Sequence, residues 1–248
     1  MDVLGIDIGG SGIKGAVVDC DNGALLTERK RIPTPEPATP DNVADVVQQL
    51  VQEFAWKGLI GCGFPAVVHN GVAWSAANID PQWVGVNVAD LIQKHTQQKT
   101  YVLNDADAAG IAEMRLGAGL GKNGTVLVLT FGTGIGSAVF VDGKLFPNTE
   151  FGHIEIRGKD AEKRTSDYAR QKKELSWEKY ALRLQEYIEK MEQLISPDHI
   201  IFGGGMIKYW DSFSMLIHAR AEIYPAKLQN LAGIIGAAIY AQELEAKP

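Results

Sequence analysis

Cysteine is nearly absent: the 248-residue chain carries only Cys20 and Cys62. Their separation suits neither a zinc knuckle nor a disulfide framework, which points to a reducing cytoplasm. An excess of positive charge is also missing, since 24 Lys and Arg face 30 Asp and Glu for a formal net charge of -6. That balance argues against a general nucleic-acid or membrane-surface binder, while leaving room for a local basic patch. Nor is there a long hydrophobic run of the membrane-spanning kind. Thr125 to Val141 carries no charge, yet its glycine and threonine interruptions and its alternation read as buried strands. The chain opens directly on a strand pattern, so no signal peptide is expected. What is present is 46% hydrophobic residues, enough to fill one large domain or two lobes of a soluble protein.

The first stretch, Val3 to Asp19, reads VLGIDIGGSGIKGAVVD. A short apolar run delivers Asp7 to a turn whose glycines, Gly9, Gly10 and Gly12, permit positive φ and leave backbone N–H groups facing an anion. With Ser11 and Lys14 this makes a phosphate cradle beside a carboxylate. An ionised Asp next to polyphosphate is repulsive unless a divalent cation sits between them, so Asp7 is expected to serve Mg²⁺. Gly10 to Gly15 also matches the GxGxxG dinucleotide pattern. That fingerprint needs a helix directly after the glycines, whereas here a strand runs to Asp19 and Asp21-Asn22-Gly23 turns it back along Ala24 to Ile32. A tight turn without a ligand remains the plain alternative.

Proline-rich Ile32 to Pro40 is a surface loop. Asp41 then reads as the N-cap of an amphipathic helix through Phe54, followed by a buried strand over Leu59 to Phe64. This alternation implies an α/β lobe. Asn78 to Pro81 with Trp83 is a polar and aromatic loop, read as a structural turn rather than a sugar-stacking surface. A helix is expected over Val86 to His95 and a strand over Thr100 to Leu103. Asn104-Asp105 follows at the strand's carboxyl end, where open α/β sheets bind ligands, although Asp105 or Asp107 could simply cap the helix Ala108 to Leu116.

Phe131 to Ala138, FGTGIGSA, sets Gly132, Thr133, Gly134 and Gly136 in a turn between two strands and repeats the N-terminal layout, as a duplicated lobe would. Glu150-Phe151-Gly152-His153-Ile154-Glu155 then groups acceptors and one adjustable donor, which suits a polyhydroxylated ligand. A metal site is the rival reading, weakened because no cysteine occurs after Cys62. Arg157 to Lys173 is the most basic stretch, with Lys159, Lys163, Arg164, Arg170 and Lys172, and it follows the candidate ligand site directly. A polyanionic substrate is expected there, against the plain alternative of a solvated charged face. A long helix over Glu174 to Ile195 carries an apolar stripe for the core or a dimer surface, and Gly203-Gly204-Gly205 makes a third backbone-approach turn before a helix from about Ile207. Leu231 to Leu244 reads as a closing helix.

The whole chain resembles the ROK family of sugar kinases and repressors, on the actin-like ATPase and hexokinase (ribonuclease H-like) fold. DIGGSGIKGA is similar to its first phosphate motif, FGTGIGSA to its second, LNDADAAG to its catalytic segment and EFGH to its ExGH sugar signature. Within the family the resemblance runs to the polyphosphate glucokinases, through ANIDPQW and GHIEIRGKDAEKRTSDYARQKKELSWEKYA. That last segment stands where most relatives carry a cysteine-rich zinc loop, so His153 is expected to lack metal partners and to bind sugar directly.

The resemblance implies phosphoryl transfer from inorganic polyphosphate, and also ATP, to the 6-hydroxyl of glucose. Asp105 would be the general base; Asn104, Asp105, Glu150 and His153, with Glu155, would bind the sugar. Asp7 would hold Mg²⁺, and Gly9 to Gly12, Lys14, Gly132 to Gly136 and Gly204 would bind phosphate. Arg157, Lys159, Lys163, Arg164, Lys172 and Lys173 would form the polyphosphate track. It further implies an N-terminal lobe over 1–103 joined by the closing helix 231–248, a larger lobe over 104–230, and a homodimer. The alternatives are an ATP-only hexose or N-acetylhexosamine kinase and a sugar-responsive regulator. The regulator's DNA-binding region would precede the first motif, which already starts at Val3.

Overall fold

In the computed structural model, which describes residues 1–77 and 79–247, β1 (Asp2–Gly9) and β2 (Gly12–Asp19) form the first hairpin. Both strands are buried along most of their length, as their near-continuous apolar composition requires. The expected return strand over 24–32 is split into β3 (Ala24–Leu25) and β4 (Lys30–Ile32), each paired separately with β2. The cause is local: the Val17 N–H donates to the Thr27 hydroxyl at 3.0 Å, and this side chain takes a backbone partner's place.

Next come α1 (Pro40–Glu53), β5 (Ile60–Phe64), β6 (Val68–His69), β7 (Val72–Ala73), α2 (Val88–Thr96), β8 (Thr100–Asn104) and α3 (Asp105–Leu116). Thr39, not Asp41, is the N-cap of α1. Pro40 is pre-set for the first helical position, and Asp41 falls in the first turn, where a carboxylate complements the helix dipole. Asn87 caps α2 by accepting from the Asp90 N–H at 3.1 Å, so that helix starts two residues later than its apolar pattern.

The second half runs β9 (Thr125–Phe131), β10 (Ile135–Val141), β11 (Lys144–Phe146), β12 (Glu155–Ile156), β13 (Lys159–Asp160), α4 (Glu162–Thr165), α5 (Asp167–Lys172), α6 (Trp177–Ile195), β14 (His199–Gly204), α7 (Trp210–Phe213), β15 (Glu222–Pro225) and α8 (Ala232–Glu245). Two sheets share one plan. One is ordered β3-β2-β1-β5-β8, with β4 also on β2; the other is β11-β10-β9-β14-β15. In each, the glycine hairpin is antiparallel and the two later strands add in parallel. The repeat suggested by two glycine hairpins is therefore a repeat of topology.

Contacts divide the chain into one unit of Met1–Ala112 with Leu231–Pro248 and another of Glu113–Asn230, a boundary inside α3. In the first unit Trp83 is fully buried, packs 4.6 Å from the Phe64 ring and donates its indole N–H to the Ala38 carbonyl. Asp80 caps the turn Pro81–Trp83, so this loop is structural, as read; Asn78 lies outside the described residues. Helix α8 lies against bare backbone. A Cβ on Gly5 would stand 2.2 Å from the Ile234 carbonyl oxygen, and one on Gly61 1.9 Å from that of Ala237. In the second unit the α6 stripe of Tyr180, Ala181, Leu184, Ile188 and Met191 is core, each large side chain contributing roughly 1.5–3 kcal/mol by burial. No helix of the described residues is long and apolar enough to cross a membrane.

Candidate active site

At the end of β1 the Asp7 carboxylate lies opposite Lys14 in register, and Lys14 Nζ is 2.9 Å from Asp7 Oδ2. Gly9 faces Gly12, leaving Gly10 and Ser11 as the turn. Gly9, Gly10 and Gly12 do not adopt positive φ, so the conformational reason expected for them is corrected. Over Gly12 lies the Arg31 side chain: a Cβ would stand 2.5 Å from its Nε. The carbonyls of Gly9 and Ser11 accept from the Thr34 hydroxyl and from Arg31 Nη2, each at 2.5 Å. The turn's carbonyl charge is thus partly covered, which favours an anion. Lys14 takes one carboxylate oxygen of Asp7, while Oδ1 carries no hydrogen bond among the described residues. That geometry fits a hydrated Mg²⁺, which retains waters and needs few protein oxygens.

Asn104 closes β8 and caps α3. Its Oδ1 accepts from the N–H groups of Ala106 at 2.8 Å and Asp107 at 3.0 Å, and its Nδ2 donates to the Ala66 carbonyl at 3.1 Å. Asn104 thus caps the helix, Asp105 Oδ1 also accepting from the Ala106 N–H at 2.8 Å, and the helix starts at Asp105, three residues earlier than expected. Asp105 is left half-buried at the carboxyl end of the parallel strands, while Asp107 is buried in the first turn.

The second glycine turn carries the EFGH segment. Ser137 on β10 donates its hydroxyl to the Thr149 carbonyl at 2.7 Å; Thr149 returns its own to the Ser137 carbonyl at 2.8 Å; Phe151 N–H donates to Ser137 Oγ at 3.1 Å. Gly152 is buried, and a Cβ there would stand 2.2 Å from the Ile135 carbonyl oxygen. This clasp sets Glu150 and His153 beside the turn of Gly132, Thr133, Gly134 and Gly136. His153 Nε2 lies 3.8 Å from Glu150 Oε2, and its Nδ1 lies 3.9 Å from Glu162 Oε1. Burial raises the Glu150 carboxyl above its ordinary value; His153 opposes the shift and Glu162 adds to it.

Glu162 is the residue that sequence reasoning missed. Glu155 sits exposed on β12 opposite Asp160, whereas Glu162, seven residues later, is turned back to His153 by the β12–β13 hairpin. One ligand atom each from His153, Asp160 and Glu162 lies within 4.8 Å of the others, a grouping close enough to share a metal ion. Lys163 already holds Asp160 at 2.7 Å.

Gly204 pairs with Phe131 at the end of β14 and β9 with φ 80°, and a Cβ would meet the Phe131 carbonyl oxygen at 2.4 Å. Glycine is needed there on both counts. The chain continues as a 3₁₀ turn, Gly205–Tyr209, rather than as an α-helix from Ile207.

The basic segment is only partly free. Arg157 and Arg164 both bind Glu186 of α6, at 2.5 and 2.6 Å; Lys163 binds Asp160, and Arg170 binds Asp167 at 3.2 Å. Lys159, Lys172 and Lys173 are exposed and carry no ion pair among the described residues. Burial, then the charges of Arg183, Lys159, Arg164 and Lys172, lowers the Lys173 ammonium below its ordinary value, which marks a local cation cluster that includes Arg183. The Tyr168 N–H donates to the Gly132 carbonyl at 3.1 Å, so α5 abuts the second glycine turn.

Comparisons with known proteins agree with this arrangement. The ROK family model matches residues 3–164. The chain is 47% identical to a polyphosphate glucokinase of Mycobacterium tuberculosis (strain CDC 1551 / Oshkosh), over 95% of this chain and 89% of that protein. It is 47% identical to the inorganic polyphosphate/ATP-glucomannokinase from Arthrobacter sp. strain KM, whose crystal structure superposes with a TM-score of 0.94 over 98% of this chain and 99% of that one. A ROK family glucokinase from Streptomyces griseus, solved with glucose and AMPPNP, is 24% identical and shares the fold alone, with a TM-score of 0.85 over 98% and 100% of the two chains. With its repeated sheet plan, its two glycine hairpins and its EFGH clasp, the chain belongs to the ROK family, on the two-lobed actin-like ATPase fold.

Proposed function

We propose that the chain transfers the terminal phosphoryl group of inorganic polyphosphate, and of ATP, to the 6-hydroxyl of glucose. The observation that carries the reading is the clasp of Ser137, Thr149 and Gly152. It holds Glu150 and His153 beside the second glycine turn, which supports reading the pair as sugar-orienting. The names of the two relatives at 47% identity support the donor and the sugar.

In this reading Asp105 accepts the hydroxyl proton as the sugar oxygen bonds to the terminal phosphorus. The bond from that phosphorus to its bridging oxygen breaks, and a donor one phosphate shorter leaves. Asn104, Glu150, His153 and Glu162 orient the sugar, with Glu155 at the margin. The turns at Gly9 to Gly12 and Gly132 to Gly136, with Lys14 and Gly204, hold donor phosphates. Asp7 would hold Mg²⁺, which would supply charge neutralisation. Lys159, Lys172 and Lys173 form the exposed part of the polyphosphate track; Lys163 is tied to Asp160, and Arg157 and Arg164 brace the segment through Glu186. Cys20 and Cys62, both unbridged and buried, fit a reducing cytoplasm. A homodimer completes the reading and is tested by light scattering.

A second reading, an ATP-only sugar kinase, is favoured by one observation, the internal pairing of Arg157, Lys163, Arg164 and Arg170. Glucose 6-phosphate formation with Mg²⁺ and a sole donor, repeated at rising salt, separates the two. The first reading expects polyphosphate turnover that falls with salt faster than ATP turnover. Activity with ATP alone selects the second.

A further inference from the structure

Residues directly opposite on neighbouring strands point to the same face of a sheet. Asp7 faces Lys14 across β1 and β2, and Lys14 faces Arg31 across β2 and β4. The three side chains therefore form one row, ending beside the first glycine turn. Gly12 lies two residues before Lys14 on β2 and so shares that face. The guanidinium of Arg31 occupies the space above it: a Cβ on Gly12 would stand 2.5 Å from Nε, 2.6 Å from Cζ and 2.7 Å from Nη2. Nη2 is also fixed to the Ser11 carbonyl at 2.5 Å. The neighbouring cations are neutralised, Lys14 by Asp7 at 2.9 Å and Lys30 by Glu53 at 3.0 Å. Arg31 alone in this group has no carboxylate partner among the described residues. The guanidinium, anchored to the Ser11 carbonyl, thus stands over the first glycine turn with its charge uncompensated among the described residues.

We propose that Arg31 is a phosphate-binding residue of the first glycine turn, holding a phosphate of the donor that is not transferred and favouring polyphosphate over ATP. This rests on the kinase reading above. A guanidinium is always charged, and its planar fork matches phosphate oxygens in pairs. Polyphosphate offers no base or ribose to grip, so its affinity must come from such contacts; a nucleotide donor retains other anchors. The short strand β4 serves to present this cation, and Thr34 on the segment just after it covers the turn's other carbonyl at Gly9.

The test compares Arg31→Met, Arg31→Lys and Thr34→Val with the unaltered chain, using glucose with tripolyphosphate, long-chain polyphosphate or ATP. Arg31→Met is expected to raise KM for long-chain polyphosphate about tenfold or more, for one lost charge-assisted contact. It should raise KM for ATP less and leave KM for glucose within about twofold. By analogy with polyanion binding, the slope of log(kcat/KM) against log salt should flatten by roughly 0.7–0.9 for polyphosphate. Arg31→Lys should restore part of the loss. Thr34→Val disturbs the same turn without removing charge and should leave the salt slope unaltered. Unchanged polyphosphate KM in Arg31→Met overturns the proposal, as do matching effects of Arg31→Met and Thr34→Val on the salt slope. If the unaltered chain shows no polyphosphate turnover, the function reading fails instead. Calorimetric binding of Mg²⁺-tripolyphosphate then decides the Arg31 assignment, which falls if Arg31→Met binds as well as the parent.

Discussion

Gly152 rests against Ile135 so closely that a methyl group would stand 2.2 Å from the Ile135 carbonyl oxygen. The approach joins the EFGH turn to the start of β10, at the edge of the second glycine turn. Overpacking at such a contact costs roughly 1–3 kcal/mol. Gly152→Ala should lower Tm and, because Glu150 and His153 flank the glycine, raise KM for glucose more than KM for the donor. Thermal melts and steady-state kinetics check both; equal rises in the two KM values would show that the turn does not position the sugar pair.

Asp105 stands at the start of α3 and, in the proposed reaction, takes the proton of the sugar hydroxyl. Removing a general base typically costs about 10² to 10⁴ in rate. Asp105→Asn should keep the fold and glucose affinity and lose most turnover, measured as kcat beside calorimetric glucose binding. Near-normal kcat would remove Asp105 from the chemistry.

Asn104 makes three side-chain hydrogen bonds at the β8–α3 junction. Losing a cap costs roughly 0.5–2 kcal/mol. Asn104→Ala should therefore destabilise the chain and lower kcat by letting Asp105 drift, whereas Asn104→Asp keeps the capping oxygen and should recover much of the stability. If both variants melt alike, the cap is not what Asn104 contributes.

Glu150 has a folded pKa raised chiefly by burial. Below about pH 4, near the ordinary glutamate value, both folded and unfolded chains hold the proton and the shift has no effect on stability. Between the ordinary value and the raised folded one the unfolded chain ionises first, so stability falls as pH rises and Glu150 is destabilising at neutral pH. In the absence of sugar, Glu150→Gln should raise Tm at about pH 7, with the gain shrinking towards pH 4. A gain that is constant across that range would contradict the burial shift.

Arg164 is part-buried against Glu186, whereas Lys159 and Lys172 are exposed. Arg164→Ala should act on stability, leaving part of Glu186 unpaired, and affect both donors alike. Lys159→Ala with Lys172→Ala should leave Tm within about 1 °C, as exposed positions without ion-pair partners allow, the Lys172 ammonium meeting the Tyr168 ring at 5.5 Å, and raise KM for polyphosphate more than for ATP. Parallel KM changes for both donors in the lysine pair would reduce the segment to a solvated face.

Local signals carried much of the architecture. Strand β9 falls on the residues its apolar run marks, the Asp142-Gly143 pair turns β10 into β11, and the α6 stripe is the face that the core covers. The glycine turns, Asn104-Asp105 and EFGH were legible because each is a short contiguous run whose chemistry is stated by its own residues. The track was legible as charge but not as free charge, since Glu186 lies far along α6 from the arginines it neutralises.

By itself, the sequence determined the longer strands and helices, the repeated glycine hairpins and the family, because these depend on neighbours within a few residues. Only the tertiary structure decided that Gly5 and Gly61 must be bare to receive α8, and that Asn104 is a cap. It alone brought Glu162 back to His153 and laid Arg31 across Gly12. Each of these is a contact whose partner is set by strand pairing or by the approach of packed backbones, and sequence spacing carries no record of that distance.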